Sequence, residues 1–442
     1  MTTTTSESTV PRSQHSFLWQ FNKLFEPAAI VKAAISLGVI KRHRKIDLAE
    51  LVKATVLALS PIPGTQTSAL TNYSLLTGHF VAHSSFYDRF TPEFAHLLKQ
   101  LADRAILAVR EAAPEDPFLQ KYGVLFEQFA DVRIADSTSK LLKKLAKGWA
   151  RSTSKKRPAG IKLHAVISLR DGLPVEDTIT EQRTHDTKAF AEQTLLPDTL
   201  SLFDLGYLDV ERFIDADGID AYFLTRKKSP HDPVIVRVHH GKGSRIACRD
   251  STISQALADG ILVTEGGAID LDVRLVANGK EAVVRAVAVE DTETRELHWY
   301  LTNVSRDLLE PQEVADAYRL RWYIELLWKQ LKSGLGLEAI LAWREEAVVA
   351  LVYAKVVALC LARLLELELE KRGVEVTAQL AMVLALARSV PLLMSYSLMG
   401  QHLTMAQFEE RLMRIAEMQA KSRNRRREAT KRKREQGIGR GG

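Results

Sequence analysis

Apolar residues recur every three to four positions through most of residues 17–112. KIDLAELVKATVLAL (45–59) has helical periodicity, with Asp47 placed to cap its first turn. SPIPG breaks that run, and QTSALTNYSLLTG and SSFYDRFTPEFAHLLKQLADRAILAVREA read as further helices. APEDP (113–117) reads as a linker. From about residue 124 the period shortens. VRIADST (132–138) predicts a short strand ending in a polar cluster. IKLHAVISLR (161–170), PVEDTITEQ (174–182), LSLFDLGY (200–207) and IDAYFLTR (219–226) predict further strands, with helices near 187–196 and 209–216. Two hairpins followed by strand–helix–strand make a mixed sheet. PVIVRVHH, GILVTEG, AIDLDVRLVA and EAVVRAVAVED, within 229–297, alternate between apolar and polar and read as an inserted all-β subdomain. HWYLTNV (298–304) is one more strand, and DLLEPQEVADAYRLRW leads into a helix with Pro311 in its first turn. The chain is helical again over 346–420. The expected fold class is therefore α/β, a mixed sheet between helical N- and C-terminal regions.

YRLRWYIELLWKQLK (318–332) carries the most informative pattern. At about 100° per residue, Tyr318, Arg321, Glu325 and Lys332 share a stripe about 60° wide, with Lys329 beside them. Leucines, Ile324 and two tryptophans cover the rest. A helix apolar nearly all round is mostly buried, so this one shows a single narrow polar row to something. Either that row is a solvated face stitched by Arg321–Glu325 and Glu325–Lys329 pairs, or it is functional.

Charge changes the picture. The net charge is +7, yet residues 421–442 hold ten Lys/Arg and two Asp/Glu, which leaves the remainder near −1. The polar N-terminus (1–16) and this basic tail both read as disordered. The tail suits sequence-blind nucleic-acid contact. Between Ser137 and Arg170 lie ten more cations, Lys140, Lys143, Lys144, Lys147, Arg151, Lys155, Lys156, Arg157, Lys162 and Arg170, and no carboxylate. Phosphate backbone is the natural partner of such a stretch. Cys248 and Cys360 lack metal-ligand spacing, which fits a reducing cytoplasm. The most apolar run, 347–370, is interrupted by Lys355 and Arg363 and suits a buried helix better than a membrane span.

Asp136 ends the apolar strand VRIAD, and Asp204 ends LSLFD. Each alone could be a turn residue or cap. Together with Glu325, they could hold two hard divalent ions, which activate a nucleophile and stabilise a leaving oxygen in phosphodiester chemistry.

With Asp136, then Asp204 in LFDLGYLD, a long β insertion, an LTN strand, and Tyr318–x2–Arg321–x3–Glu325–x6–Lys332, the sequence resembles the DDE transposases of bacterial insertion sequences, IS-four type, relatives of transposon Tn-five. The resemblance covers roughly 124–345. It implies a ribonuclease-H-like catalytic domain, with the β insertion at 229–297, and Asp136, Asp204 and Glu325 as ligands of two Mg²⁺ ions, with Mn²⁺ as a substitute. It implies that Tyr318, Arg321 and Lys332 grip phosphates near the cut. Relatives with a β insertion hold a flipped base on an aromatic there. Trp299 is the candidate, His298 and Tyr300 its neighbours on the opposite face, and a core aromatic is the other reading. The implied activity is cut-and-paste transposition: water frees a 3′-OH, which can form a hairpin on the opposite strand before joining to target. Expected partners are double-stranded DNA, both terminal repeats and target, and a second copy of the chain during synapsis, with no membrane and a cytoplasmic, nucleoid-associated location. Residues 17–115 are the candidate reader of terminal repeats, through a helix-turn-helix-like unit; a plain helical bundle is the alternative. The rival functions are a non-catalytic DNA-binding descendant and a ribonuclease-H-like nuclease without joining activity.

Overall fold

The structure, a computed structural model, describes residues 17–374, apart from 41–45, 59–65, 113–122, 124–126, 171, 190–194, 208, 228–231 and 243–247, together with scattered residues between 407 and 418. The N-terminus, SPIPG, the APEDP linker, the basic tail and most of the C-terminal helical region expected above lie outside the described residues. The chain divides into two compact units. One comprises 1–114, 140–160 and 328–442; the other comprises 115–139 and 161–327.

The first unit is mainly helical: α1 (Phe17–Leu24), α2 (Pro27–Ser36), α3 (Leu48–Val56), α4 (Gln66–Thr77), α5 (His83–Tyr87), α6 (Pro92–Ala112) and the long C-terminal-side helix α11 (Glu345–Lys371). Asp47 caps α3 as its position predicts, accepting from the Glu50 N–H at 3.1 Å. The long SSFYDRF…REA helix is broken in two. Pro92 opens α6, and Thr91 Oγ1 takes the Phe94 N–H, so the chain turns at Thr91. The apolar run 347–370 lies within α11, which packs along α6 and also meets α3 and α1. Of its most apolar window 89% is buried, so a protein core covers it.

The second unit is built on a nine-stranded sheet in the order β3-β2-β1-β4-β5-β9-β8-β7-β6. The strands are β1 (Asp131–Leu141), β2 (Gly160–Ser168), β3 (Leu173–Glu181), β4 (Thr199–Phe203), β5 (Tyr222–Arg226), β6 (Val234–His240), β7 (Ala268–Ala277), β8 (Lys280–Glu290) and β9 (Leu297–Thr302). β1, β4 and β5 are parallel neighbours, while β2–β3 and the series β5-β9-β8-β7-β6 are antiparallel. This α/β mixed sheet has the 3-2-1-4-5 core order expected of a ribonuclease-H-like domain, and the inserted strands β6–β8 extend it beyond β9. Within the insertion, GILVTEG adds only isolated bridges, and the segment before it forms the short helix α8 (Ile253–Ala258), capped by Thr252. β4 is buried along its whole length, as a parallel strand covered on both faces should be. α7 (Val210–Ala216) contributes Phe213, stacked on Phe223 of β5 at 4.3 Å.

The helix expected over 318–332 is three pieces. α9 (Pro311–Arg319) starts at Pro311, with the Glu313 carboxylate accepting from the Glu310 N–H. The chain turns at Leu320–Arg321, and α10 (Trp322–Lys329) follows. Residues 330–334 then form a π turn, closed by Leu335 N–H to Gln330 O at 2.9 Å. A constant 100° per residue fails across both changes, so one helical wheel does not describe the whole of 318–332.

Candidate active site

Register assembles the site. β1 is longer than its apolar run, and Asp136 lies within it rather than at its end. β4, however, stops at Phe203. The parallel register Ala135↔Phe203 and Phe203↔Thr225 therefore brings Asp136, Asp204 and Arg226 to equivalent positions in one row, at the carboxyl ends of β4 and β5 and midway along β1. The antiparallel pairing of β5 with β9 sets Tyr300 opposite Arg226. One row across the sheet thus reads Asp, Asp, Arg, Tyr. This is the end of a parallel sheet where open α/β folds place their ligands.

The chain from α9 into α10 lays a second set over that row. The Arg321 guanidinium lies 3.9 Å from Asp136 Oδ2 and 3.0 Å from Glu325 Oε1. Burial works against its charge, but Tyr318, Asp204, Asp136 and Glu325 together hold its pKa above the ordinary value. Three carboxylates from three separate elements thus act on one cation. The ring of Tyr318 sits 5.3 Å from that of Tyr300 and 5.9 Å from the Arg321 carbon. Burial pushes the Tyr318 hydroxyl to about 12, so it stays a neutral donor at working pH. Its oxygen and Arg321 Nε are buried without a hydrogen-bond partner of good geometry. They border an open groove of about 830 Å³ lined also by Arg226, His298, Arg319 and Trp322. The arginines in its wall, Arg226, Arg319 and Arg321, can meet an anionic guest.

The acidic residues fit a divalent metal by donor chemistry: all three are carboxylates, the hard oxygen ligands such ions take, and a positive charge already sits among them. Among the described residues no three His, Cys, Asp or Glu side chains enclose an ion by themselves; the guanidinium stands between them instead.

The remaining expected site residues fall elsewhere. Trp299 packs against the apolar cluster of the second unit, while His298 and Tyr300, one residue either side, line the groove. The strand alternation is the reason. Lys329 is exposed at the end of α10 and Lys332 half-buried in the π turn; both belong to the first unit. Two of the ten cations in the 137–170 stretch point inward. Lys140 is buried and bonds the Glu338 carbonyl, and Lys162 is tied to Asp186 at 3.0 Å and to the Thr184 carbonyl at 2.9 Å.

Asp186 was not singled out in the sequence, where it lies just ahead of the helix expected near 187–196. Its Oδ1 accepts from Ser137 Oγ at 2.8 Å, and its Oδ2 lies where a Cβ on Gly206 would approach to 3.0 Å. One carboxylate therefore touches the residue after Asp136 and the second residue after Asp204. His164 lies 3.6 Å away and bonds Tyr207. Burial drives His164 down to about 4, with Asp186 opposing and Lys162 reinforcing, so it is neutral. A basic residue on β2 facing an acidic residue shortly after β3 was the available signal.

The chain is 27% identical over 266 residues to the putative transposase y4zB of Sinorhizobium fredii, covering 57% of this chain and 68% of that one. It is 22% identical over 378 residues to the transposase for insertion sequence element IS231D of Bacillus thuringiensis subsp. finitimus, covering 76% of each. A solved piggyBac transposase synaptic complex with hairpin DNA aligns at a TM-score of 0.43 and 10% identity, over 92% of this chain and 87% of that one. The family model described as "Transposase DDE domain" matches residues 127–361, more than half of the chain and the whole stretch from β1 through Glu325, and the protein therefore belongs to the DDE transposases of bacterial insertion sequences, IS-four type.

Proposed function

We propose that this DNA transposase cuts at the ends of an insertion sequence and joins them to target DNA in cut-and-paste fashion, using Asp136, Asp204 and Glu325 as ligands for two Mg²⁺ ions, with Mn²⁺ able to substitute. The observation that carries this reading is the Arg321 guanidinium held between Asp136 and Glu325, with Asp204 beside Asp136 in the same row of the sheet. Bound divalent ions would supply charge neutralisation and a nucleophile ionised near neutral pH. The chain's own residues do the rest. Arg321 offers a fork of donors to a phosphate, with the neutral Tyr318 hydroxyl as a second donor beside it. Arg226, held at 2.9 Å to His298 Nδ1, adds a third donor group on the groove wall. Tyr300 and His298, rather than Trp299, are placed to meet a base extruded into the groove. Lys332 and Lys329 remain candidates for phosphates further along the same strand.

In the first step water attacks the phosphodiester at the element's end and the 3′ oxygen leaves. In the joining step that freed 3′-OH attacks a target phosphodiester, and the target's own 3′ oxygen leaves. Both are in-line displacements at one site. Residues 17–115 are the part assigned to terminal-repeat recognition, the protein acts as a homodimer when it holds two ends, and it works in the cytoplasm at the nucleoid.

The test uses a supercoiled plasmid carrying this gene with its native flanking DNA, incubated with the protein and Mg²⁺ beside a Glu325→Gln variant. Excision by the wild type alone, with DNA binding by both, is expected. Equal cleavage by the variant would overturn the assignment.

A further inference from the structure

We propose that the connection between β1 and β2 is a docking surface for the phosphate backbone of target DNA, an assignment that rests on the transposase reading above. Residues 142–159 leave the sheet as a built hairpin. Leu142, Ala146, Ala150, Ser152 and Ala159 are buried, and a 3-10 turn covers Lys144–Gly148. Backbone bonds tie its arms: Leu142 N–H to Ala159 O at 2.9 Å, Ser152 N–H to Pro158 O at 3.0 Å and Gly160 N–H to Ala150 O at 3.0 Å. Ser152 Oγ and Ser154 Oγ accept from the Ser154 and Arg157 N–H groups and fix the tip. Trp149 Nε1–H bonds the Trp343 carbonyl at 2.9 Å, and Lys140 anchors the root through the Glu338 carbonyl.

This frame presents Lys143, Lys144, Lys147, Arg151, Lys155, Lys156 and Arg157 to solvent. The lysines here differ from many others on the molecule. Lys53, Lys99 and Lys280 each meet a carboxylate within 3.3 Å. Lys143, Lys144, Lys147, Lys155 and Lys156 have no such partner among the described residues. A folded surface that gathers five unpaired ammonium groups within fourteen residues carries repulsion that a polyanion would relieve.

The choice of target over element end follows from what the hairpin lacks. No Asn or Gln occurs between Ser137 and Ala159, the Trp149 N–H is already bonded, and ammonium groups grip phosphate as point charges. Phosphate contacts position a duplex without reading it. A target that varies in sequence needs such contacts, whereas an element end must also be read.

The experiment compares the full-length protein with a K143Q/K144Q/K147Q/K155Q/K156Q variant, whose altered side chains are all exposed. Three quantities are read: excision from the donor plasmid, joining of pre-cut ends to a random target, and the salt dependence of binding to random duplex. The expected result is excision within about 2-fold of wild type and joining reduced at least about 10-fold. The slope of log affinity against log salt should shrink by up to about 4, near 0.9 per lost phosphate contact. Equal losses of excision and joining would hand the surface to the element's own ends and overturn the proposal. Unchanged joining would overturn it too. If the wild type does not excise, the transposase mechanism fails on that ground, and an unchanged salt slope would reject the docking surface separately.

Discussion

Two charged assemblies in the sheet unit differ in one respect that separates structure from function. In the inserted strands, Arg285 and Asp270 are 4% and 2% exposed, and every nitrogen of Arg285 is bonded: Nε and Nη2 to Asp270, Nη1 to the Leu309 carbonyl at 2.7 Å and more weakly to those of Val304 and Ser305. Arg306 joins Asp270 to Asp272, which holds His239 at 2.7 Å. Arg285 is fully bonded and clamps the loop entering α9, while Arg306 Nε at the network's edge lacks a partner. At the sheet's carboxyl ends, Arg321 keeps a free Nε, Tyr318 a free hydroxyl, and the Glu325 side chain is 37% exposed. The open assembly has valences left for something absent from the chain itself; the Arg285 guanidinium has none.

Substitutions should therefore split the two by kind of effect. Asp136→Asn or Glu325→Gln should lower cleavage at least about 10³-fold, an effect of the size seen when a transition-state electrostatic group is removed, while the melting temperature stays within a few degrees. A melt lowered as far as activity would mean that these carboxylates serve the fold. Arg285→Met should do the reverse, destabilising the protein by about 3–5 kcal/mol because Asp270 is left charged and buried. Denaturant titration checks it, and a loss under about 1 kcal/mol would mean that the network is not closed.

A buried charge with fewer partners sharpens the contrast. Lys355 in the helical unit is fully buried, and among the described residues its ammonium bonds only the Ala58 carbonyl, at 2.6 Å. Burial alone pulls its pKa from 10.5 to about 7. Between those values the unfolded chain binds more protons than the folded one, so stability rises with pH across that window and the penalty is fullest below it. The stability difference between Lys355→Met and wild type should therefore shrink by about 3 kcal/mol from pH 7 to pH 10, at about 1.4 kcal/mol per unit. A difference independent of pH would show that the lysine is charged throughout.

The sequence made Asp136 and Asp204 visible because each follows an apolar run, and made Tyr318, Arg321 and Glu325 visible because a helix apolar on every other face has a reason for its polar row. What it hid was geometry. The ideal wheel assumed one unbroken helix, which the turn at Leu320–Arg321 and the π turn at 330–334 interrupt. Charge counts could not tell that Lys140 and Lys162 point inward, since an inward lysine and a phosphate-gripping one spell the same letter. Asp270 and Arg285 sit in alternating strands and read as a solvated face until pairing buries them. Trp299 was separated from the groove by a single residue of strand alternation, which motif spacing does not resolve.

Asp186 falls between the open and closed assemblies. It is bonded to Lys162 and Ser137 like a structural ion, yet it lies against the segments that follow both Asp136 and Asp204. If it acts as a supporting group, Asp186→Asn keeps the shape and the Ser137 contact but removes the charge opposite Lys162. Cleavage should then fall about 10–100-fold, the usual cost of altering an outer-shell partner of a metal site, with the Mg²⁺ concentration for half-maximal rate raised and the melting temperature nearly kept. Mn²⁺ binding followed by electron paramagnetic resonance, without DNA, gives a readout independent of turnover. Weakened Mn²⁺ binding would place Asp186 with the open site. Unchanged binding beside a lowered melt would place it with the closed one, and the distance from Ser137 to Asp136 would then mark where support of the fold ends and support of the chemistry begins.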